Sequence, residues 1–270
     1  MRTPFGSLYG QTILPSRLLR WREDGNLLPA DPDARFAVGG DARFQYLELN
    51  GGAEADSASS FEIPEANLYG EGRLLPGTLS LYLDVKTGPG GASARELFAL
   101  VEAGRWNAYL KAGKFLPPFG WRLPDDAAYI RQFSGFGYSS PDIGLEVGIE
   151  PGSWSAHLAV VNGQSGGGEN NRTKQFSLLV VRRLGPARLG ASGSNNIGTG
   201  VRTSQVGLLG GIDLGRLALL GEIDRREDRS DDPPPRQTSH RLSALVEADL
   251  LVRRGLNVKL AHDWTDPDRE

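Results

Sequence analysis

The sequence predicts an all-β fold, an antiparallel up-and-down β-barrel, and three observations predict it. Apolar and polar residues alternate over most of the chain from about residue 34, glycine is abundant (36 of 270 residues), and tight turns alternate with longer polar loops. Successive side chains of a strand point to opposite faces, so a period of two writes one apolar wall and one polar wall. Hydrophobic residues make up only 39% of the chain, and with so much glycine this composition favours turn-rich β structure over helical packing.

In chain order, residues 1–33 are irregular, with Ile13, Leu14, Leu18, Leu19 and Trp21 beside Arg17, Arg20 and Arg22. A short amphipathic helix, an extra strand and a lead-in without structure all remain open for them. Thirteen strands are then expected, near 34–49, 63–74, 78–87, 95–103, 106–115, 142–149, 154–162, 174–183, 187–195, 203–213, 216–225, 238–251 and 256–264. The alternation is clearest in Asp142–Glu150, where Ile143, Leu145, Val147 and Ile149 oppose Asp142, Gly144, Glu146 and Gly148. Leu79, Leu81, Leu83 and Val85 oppose Ser80, Tyr82, Asp84 and Lys86 in the same way. Leu242, Ala244, Val246, Ala248 and Leu250 share another face, against Ser243, Leu245, Glu247 and Asp249, and Leu256, Val258 and Leu260 share a third.

Short turns are expected at LPGT (75–78), AGRW (103–106), EPGS (150–153), LGPA (184–187), DLGR (213–216) and VRRG (252–255). Longer loops lie between them at 50–62, 88–94, 116–141, 163–173, 196–202 and 226–237. Strict alternation puts every tight turn at one rim and every long loop at the other, the arrangement of a barrel in an outer membrane, with tight turns on the periplasmic side. The expectation is therefore a transmembrane barrel over 34–270, with residues 1–33 on the periplasmic side. A soluble sandwich, propeller or solenoid also alternates; no fixed-length repeat supports the last two.

Other classes are excluded or weakened by composition. A net charge of −3 does not suit nucleic-acid binding. With no cysteine there is no disulfide, thiolate metal site or covalent haem attachment. No run reaches the ~18 apolar residues of a membrane helix, and the N-terminus lacks a leader's apolar core. His157, His240 and His262 fall in different strands without ligand spacing, so neither a metal site nor a catalytic triad is expected. Asp263, Asp266 and Asp268 lack the glycine and terminal glutamate of a calcium loop. Gly163–Asn171 lacks the strand–loop–helix setting of a phosphate cradle. No metal, cofactor or enzyme activity is expected.

The segment KAGKFLPPFG (111–120), a strand end running into Pro-Phe-Gly, resembles bacterial outer-membrane porins, including the phosphate-selective type. The stretch that follows, 121–163, resembles predicted porins of Gram-negative genomes, some of them beside multihaem cytochromes. The resemblance covers about 60–265, with specific wording only over 106–163. It implies a passive outer-membrane channel for small solutes or ions, in contact with lipid and able to form a homo-oligomer. The alternatives are a barrel sheath around a multihaem cytochrome and a soluble all-β binding module. Two departures from the porin pattern, an odd strand number and the ending DWTDPDRE, lead to the expectation of an incomplete barrel whose C-terminal strands are missing.

The wall opposite the apolar stripe supplies the pore-lining candidates Asp84, Lys86, Lys111, Glu146, Glu222, Asp224, Glu247, Asp249 and Lys259. Glu96, Glu102, Asp142, Arg188 and Asp263 share that wall. An acidic excess there favours cations, unless the carboxylates pair with lysine and arginine. Loop 116–141 is the longest and most aromatic, and carries Arg122, Asp125, Asp126 and Arg131 as constriction candidates if it folds inward; it could equally cap the outside. Trp106, Trp154 and Trp264 stand near strand ends, where interfacial girdles lie.

Overall fold

The computed structural model describes residues 19–21, 27–29, 35–49, 58–88, 91–122, 128–137, 139–165, 171–198, 200–230, 238–253 and 256–266. A small ladder joins β1 (Leu19–Trp21) to β2 (Leu27–Pro29). The remaining strands are β3 (Phe36–Leu49), β4 (Ala58–Leu75), β5 (Leu79–Gly88), β6 (Gly91–Ala103), β7 (Ala108–Phe115), β8 (Asp142–Ile149) and β9 (Trp154–Val161). They continue with β10 (Gln175–Leu184), β11 (Ala187–Ile197), β12 (Val201–Asp213), β13 (Leu217–Ser230), β14 (Thr238–Arg253) and β15 (Leu256–Asp266). These thirteen form one sheet in strict sequence order, each antiparallel to the next. One helix, α1 (Tyr129–Ser134), lies in the connection between β7 and β8.

Two rows of side chains show why this is a barrel wall and not half of a sandwich. Ile149, Ala156, Val180, Ala191, Leu208, Ile223, Ala244 and Trp264 are directly paired across β8 to β15. One residue along, the row reads Gly148, His157, Leu179, Ser192, Gly207, Asp224, Ser243 and Thr265. The first row is apolar and exposed or half-buried; the second is mostly polar and buried up to the half-buried Thr265. The exposed wall carries Leu97 (54%), Leu145 (54%), Leu208 (62%) and Val246 (61%). Apolar side chains turned outward on every strand from β5 to β15 are placed as for lipid, the reverse of a sandwich core. Among the described residues no helix is long and apolar enough to cross a membrane.

The tight rim has a local cause. Gly77 stands at φ 69° in the β4–β5 turn, a left-handed conformation that costs glycine nothing. Connections 88–94 and 196–202, expected to be long loops, are short. Gly88 pairs with Gly91, and Gly198 donates to the carbonyl of Val201. Polar, glycine-rich strand ends that project past the apolar band look like loop in sequence, yet the ladder continues through them. The strict alternation of short and long links is thus looser than expected. The edge strands β3 and β15 both run from the tight-turn rim to the loop rim, as an odd strand number requires. No ladder joins them among the described residues.

Candidate functional site

The buried wall is more packed and more paired than alternation alone suggests. On one side Tyr82, Phe98, Leu100, Tyr109, Phe115, Ala159 and Val161 cluster. Polar groups are threaded through them. The Arg95 guanidinium donates to Asp84 Oδ2 at 2.7 Å from one nitrogen and 3.1 Å from Nε. Arg95 reaches inward because the β5–β6 register slips between Asp84 and Val85, and a bulge re-aims a side chain. Lys111 Nζ donates to Glu146 Oε1 at 2.8 Å and lies 5.1 Å from the Phe115 ring centre. Tyr109 donates its hydroxyl to Glu146 Oε1 at 2.5 Å, and His157 Nδ1 stands 2.6 Å from the Tyr109 hydroxyl oxygen.

The described residues of loop 116–141 enter this interior. At its start the backbone N–H of Leu116 donates to Glu96 Oε1 at 3.2 Å, and Arg122 pairs with the other oxygen of Glu96. Trp121, fully buried, then reaches the opposite wall. Its backbone N–H donates to Glu222 Oε2 and its indole N–H to the Gly221 carbonyl, both at 2.9 Å. Trp121 and Ile130 pack on Leu179, Val181, Leu209, Leu220 and Leu245, inward apolar residues of β10 and β12–β14. In α1, Arg131 is fully buried, ion-paired with Glu222 and 3.8 Å from Asp224 Oδ2. The end of α1 is tied by Gln205 Nε2, donating to the Ser134 carbonyl at 2.8 Å, and by Arg226, donating to the Phe133 carbonyl at 2.6 Å. Phe119 stacks on Phe136 at 4.4 Å.

Each expected residue has a definite place. Asp84, Lys111, Glu146, Glu222, Asp224, Glu247 and Asp249 lie on the buried face. Lys86 stands near the loop rim of that face and donates to Ser139 Oγ at 3.3 Å. Lys259 pairs with Glu247 at 2.5 Å. Arg122 and Arg131 are brought to opposite walls, whereas Asp125 and Asp126 lie outside the described residues. Trp106, Trp154 and Trp264 are exposed at the rims (58%, 46% and 43%), and Arg182 caps the Trp154 ring at 5.0 Å. Alternation missed Arg95, because a bulge breaks the period. It also missed the inward apolar residues Phe98, Leu100, Leu179 and Leu220, because they interrupt the polar face. Tyr109 and His157 were not legible as partners, since 48 residues separate them.

No protein-family model matches the sequence, and no curated protein matches it either. Solved structures do match. OmpT, an outer-membrane protein of Vibrio cholerae folded in vitro, aligns over 86% of this chain and 76% of its own with a TM-score of 0.57 and 14% identity. This is the fold of an outer-membrane porin barrel. A porin refined at 1.8 Å gives 0.55 over 86% of this chain and 84% of its own at 12% identity. A trimer form of the Vibrio cholerae OmpT gives 0.52 over 87% and 90% at 10% identity. At such identities the likeness is one of fold. The exposed apolar wall is placed as the lipid-facing side of such barrels is.

Proposed function

We propose that this chain is a passive diffusion channel for small solutes or ions, with loop 116–141 as the constriction that sets its cross-section. One observation carries the reading: the loop is bonded to Glu96 on β6 and to Glu222 on β13, walls seven strands apart in the sheet order. A loop so held crosses the interior and does not cap the outside. Selectivity in this reading comes from the wall charges the pairs leave over. Asp84, Glu96, Glu146 and Glu247 each have a basic partner, so the excess rests on Asp224 and Asp249 and gives a modest preference for cations. No residue is given a catalytic role, and residues 1–33 are assigned to the periplasmic side.

A sheath around a multihaem cytochrome requires a wide, empty interior, and the fully buried Trp121, Phe115 and Leu100 oppose it. The exposed apolar wall opposes a soluble module. Homo-oligomerisation belongs to the proposal, supported by the trimer described for the Vibrio cholerae protein. Planar-bilayer recording on detergent-folded protein tests the channel: discrete ohmic steps are expected, and a correctly folded but silent barrel would sink the reading.

A further inference from the structure

On the outer wall, β12 and β13 set two arginines face to face at the loop rim. Arg202 stands directly opposite Arg229 in the ladder, and both are exposed. Side chains opposite each other on a sheet are about 4.5–5.5 Å apart at Cβ, so like charges there repel. Two positions down the same face Ser204 opposes Glu227, and two further down Val206 opposes the exposed Arg225. Glu227 pairs with Arg229 and lies 3.6 Å from Nδ1 of His240, its neighbour on β14. Among the described residues neither Arg202 nor Arg225 has an ion pair. The patch therefore sets three guanidinium charges against one carboxylate. A second arginine pair, Arg226 opposite Arg241 on the inner wall, is answered from within the protein. There Arg226 donates to Asp228 Oδ2 at 2.8 Å and to the Phe133 carbonyl at 2.6 Å, and Arg241 lies 5.8 Å from the Phe133 ring centre. Only Glu227 answers the outer pair among the described residues.

Two adjacent guanidinium forks with unspent N–H groups suit a phosphate, whose oxygens accept parallel hydrogen bonds from each fork. What lies below them decides which phosphate. Val206, Leu208 and Ile223 continue the same face as exposed apolar surface, so a ligand seated on the arginines has an apolar strip directly beneath it. A free anion has no use for that strip, whereas an acyl chain does. We propose that Arg202 and Arg229, with Arg225 at the edge of the apolar band, hold the phosphate headgroup of an anionic lipid whose chains descend over Val206 and Leu208. The site lies outside the wall, away from the interior that loop 116–141 enters, so a silent bilayer recording leaves it standing.

Phosphatidic acid is the probe, with phosphatidylcholine as the zwitterionic comparison and inorganic phosphate as the free anion. The full chain is folded in detergent, checked by heat-modifiable gel mobility and titrated with each lipid, and native mass spectrometry counts the lipid retained. Saturable retention of phosphatidic acid is expected, with phosphatidylcholine at least about tenfold weaker and no displacement by inorganic phosphate at equal concentration. Arg202→Gln and Arg229→Gln should each weaken retention at least about tenfold. Arg202→Glu turns the repulsion into a cross-strand ion pair. That variant should unfold at a higher temperature than the parent when lipid is withheld, and should lose the rise that phosphatidic acid gives the parent. Arg182→Gln, which removes an exposed arginine of the tight-turn rim, should retain the lipid as the parent does. Absence of retention in the parent, equal retention of phosphatidylcholine, displacement by inorganic phosphate, persistence in Arg202→Glu or an equal loss in Arg182→Gln would each overturn the proposal.

Discussion

Replacing Arg131 by methionine tests whether the loop is held by charge. Arg131 is fully buried and paired with Glu222, and removing one partner of a buried pair costs about 3–5 kcal/mol. Glu222 can neutralise itself by taking a proton, which makes the low end, about 3 kcal/mol, the better figure. That corresponds to roughly a hundredfold shift in loop docking, at about 1.4 kcal/mol per decade. The sheet ladders do not include Arg131, so the loss should appear as an undocked loop in an intact barrel. Single-channel conductance should rise and become noisier, and limited proteolysis should cut within 116–141, while heat-modifiable mobility stays as in the parent. Arg131→Met combined with Glu222→Gln removes both charges and keeps an oxygen for the Trp121 N–H, so docking should recover. If the single variant matches the parent in conductance and cleavage, or the double variant is no better than the single one, the ionic latch is refuted.

Leu145, 54% exposed on the outer wall, should tolerate arginine poorly; about 2–4 kcal/mol of stability should be lost in denaturant titrations of liposome-inserted protein if this wall meets lipid midplane. Gly148→Ala would place a Cβ 2.2 Å from the Tyr109 ring, and should cost about 1–3 kcal/mol by the same titration. Tyr109→Phe keeps the ring and deletes the hydroxyl that contacts both Glu146 and His157, so a loss of about 1–3 kcal/mol is expected there; no loss at all would mean that Lys111 alone satisfies the carboxylate. Asp249→Asn should move the reversal potential in a salt gradient toward zero with unchanged folding, and an unchanged potential would remove Asp249 from the selectivity reading.

Much of the wall was legible in the sequence. Ile143, Leu145, Val147 and Ile149 declare an outward face by spacing alone, and the pairing of β8 with β7 and β9 keeps them there because a one-residue slip would turn all four inward. The strand count was readable for the same reason. Strand ends were less so, as Gly88–Gly91 and Ile197–Val201 show, because polar residues continue a ladder beyond the apolar band without a hydrophobic signal. The inward aromatics Phe98 and Phe115 were not singled out by spacing, because their meaning depends on what stands across the interior.

What the sequence by itself determined is the two-sided sheet: period-two patterning is a local property, and each strand carries its own record of which side meets lipid. Only the tertiary structure decided that loop 116–141 turns inward, that Arg131 finds Glu222 91 positions away, and that Arg95 leaves its alternation to meet Asp84. Those contacts depend on curvature, register and a bulge, which bring distant segments together through space and leave no periodic trace in the chain.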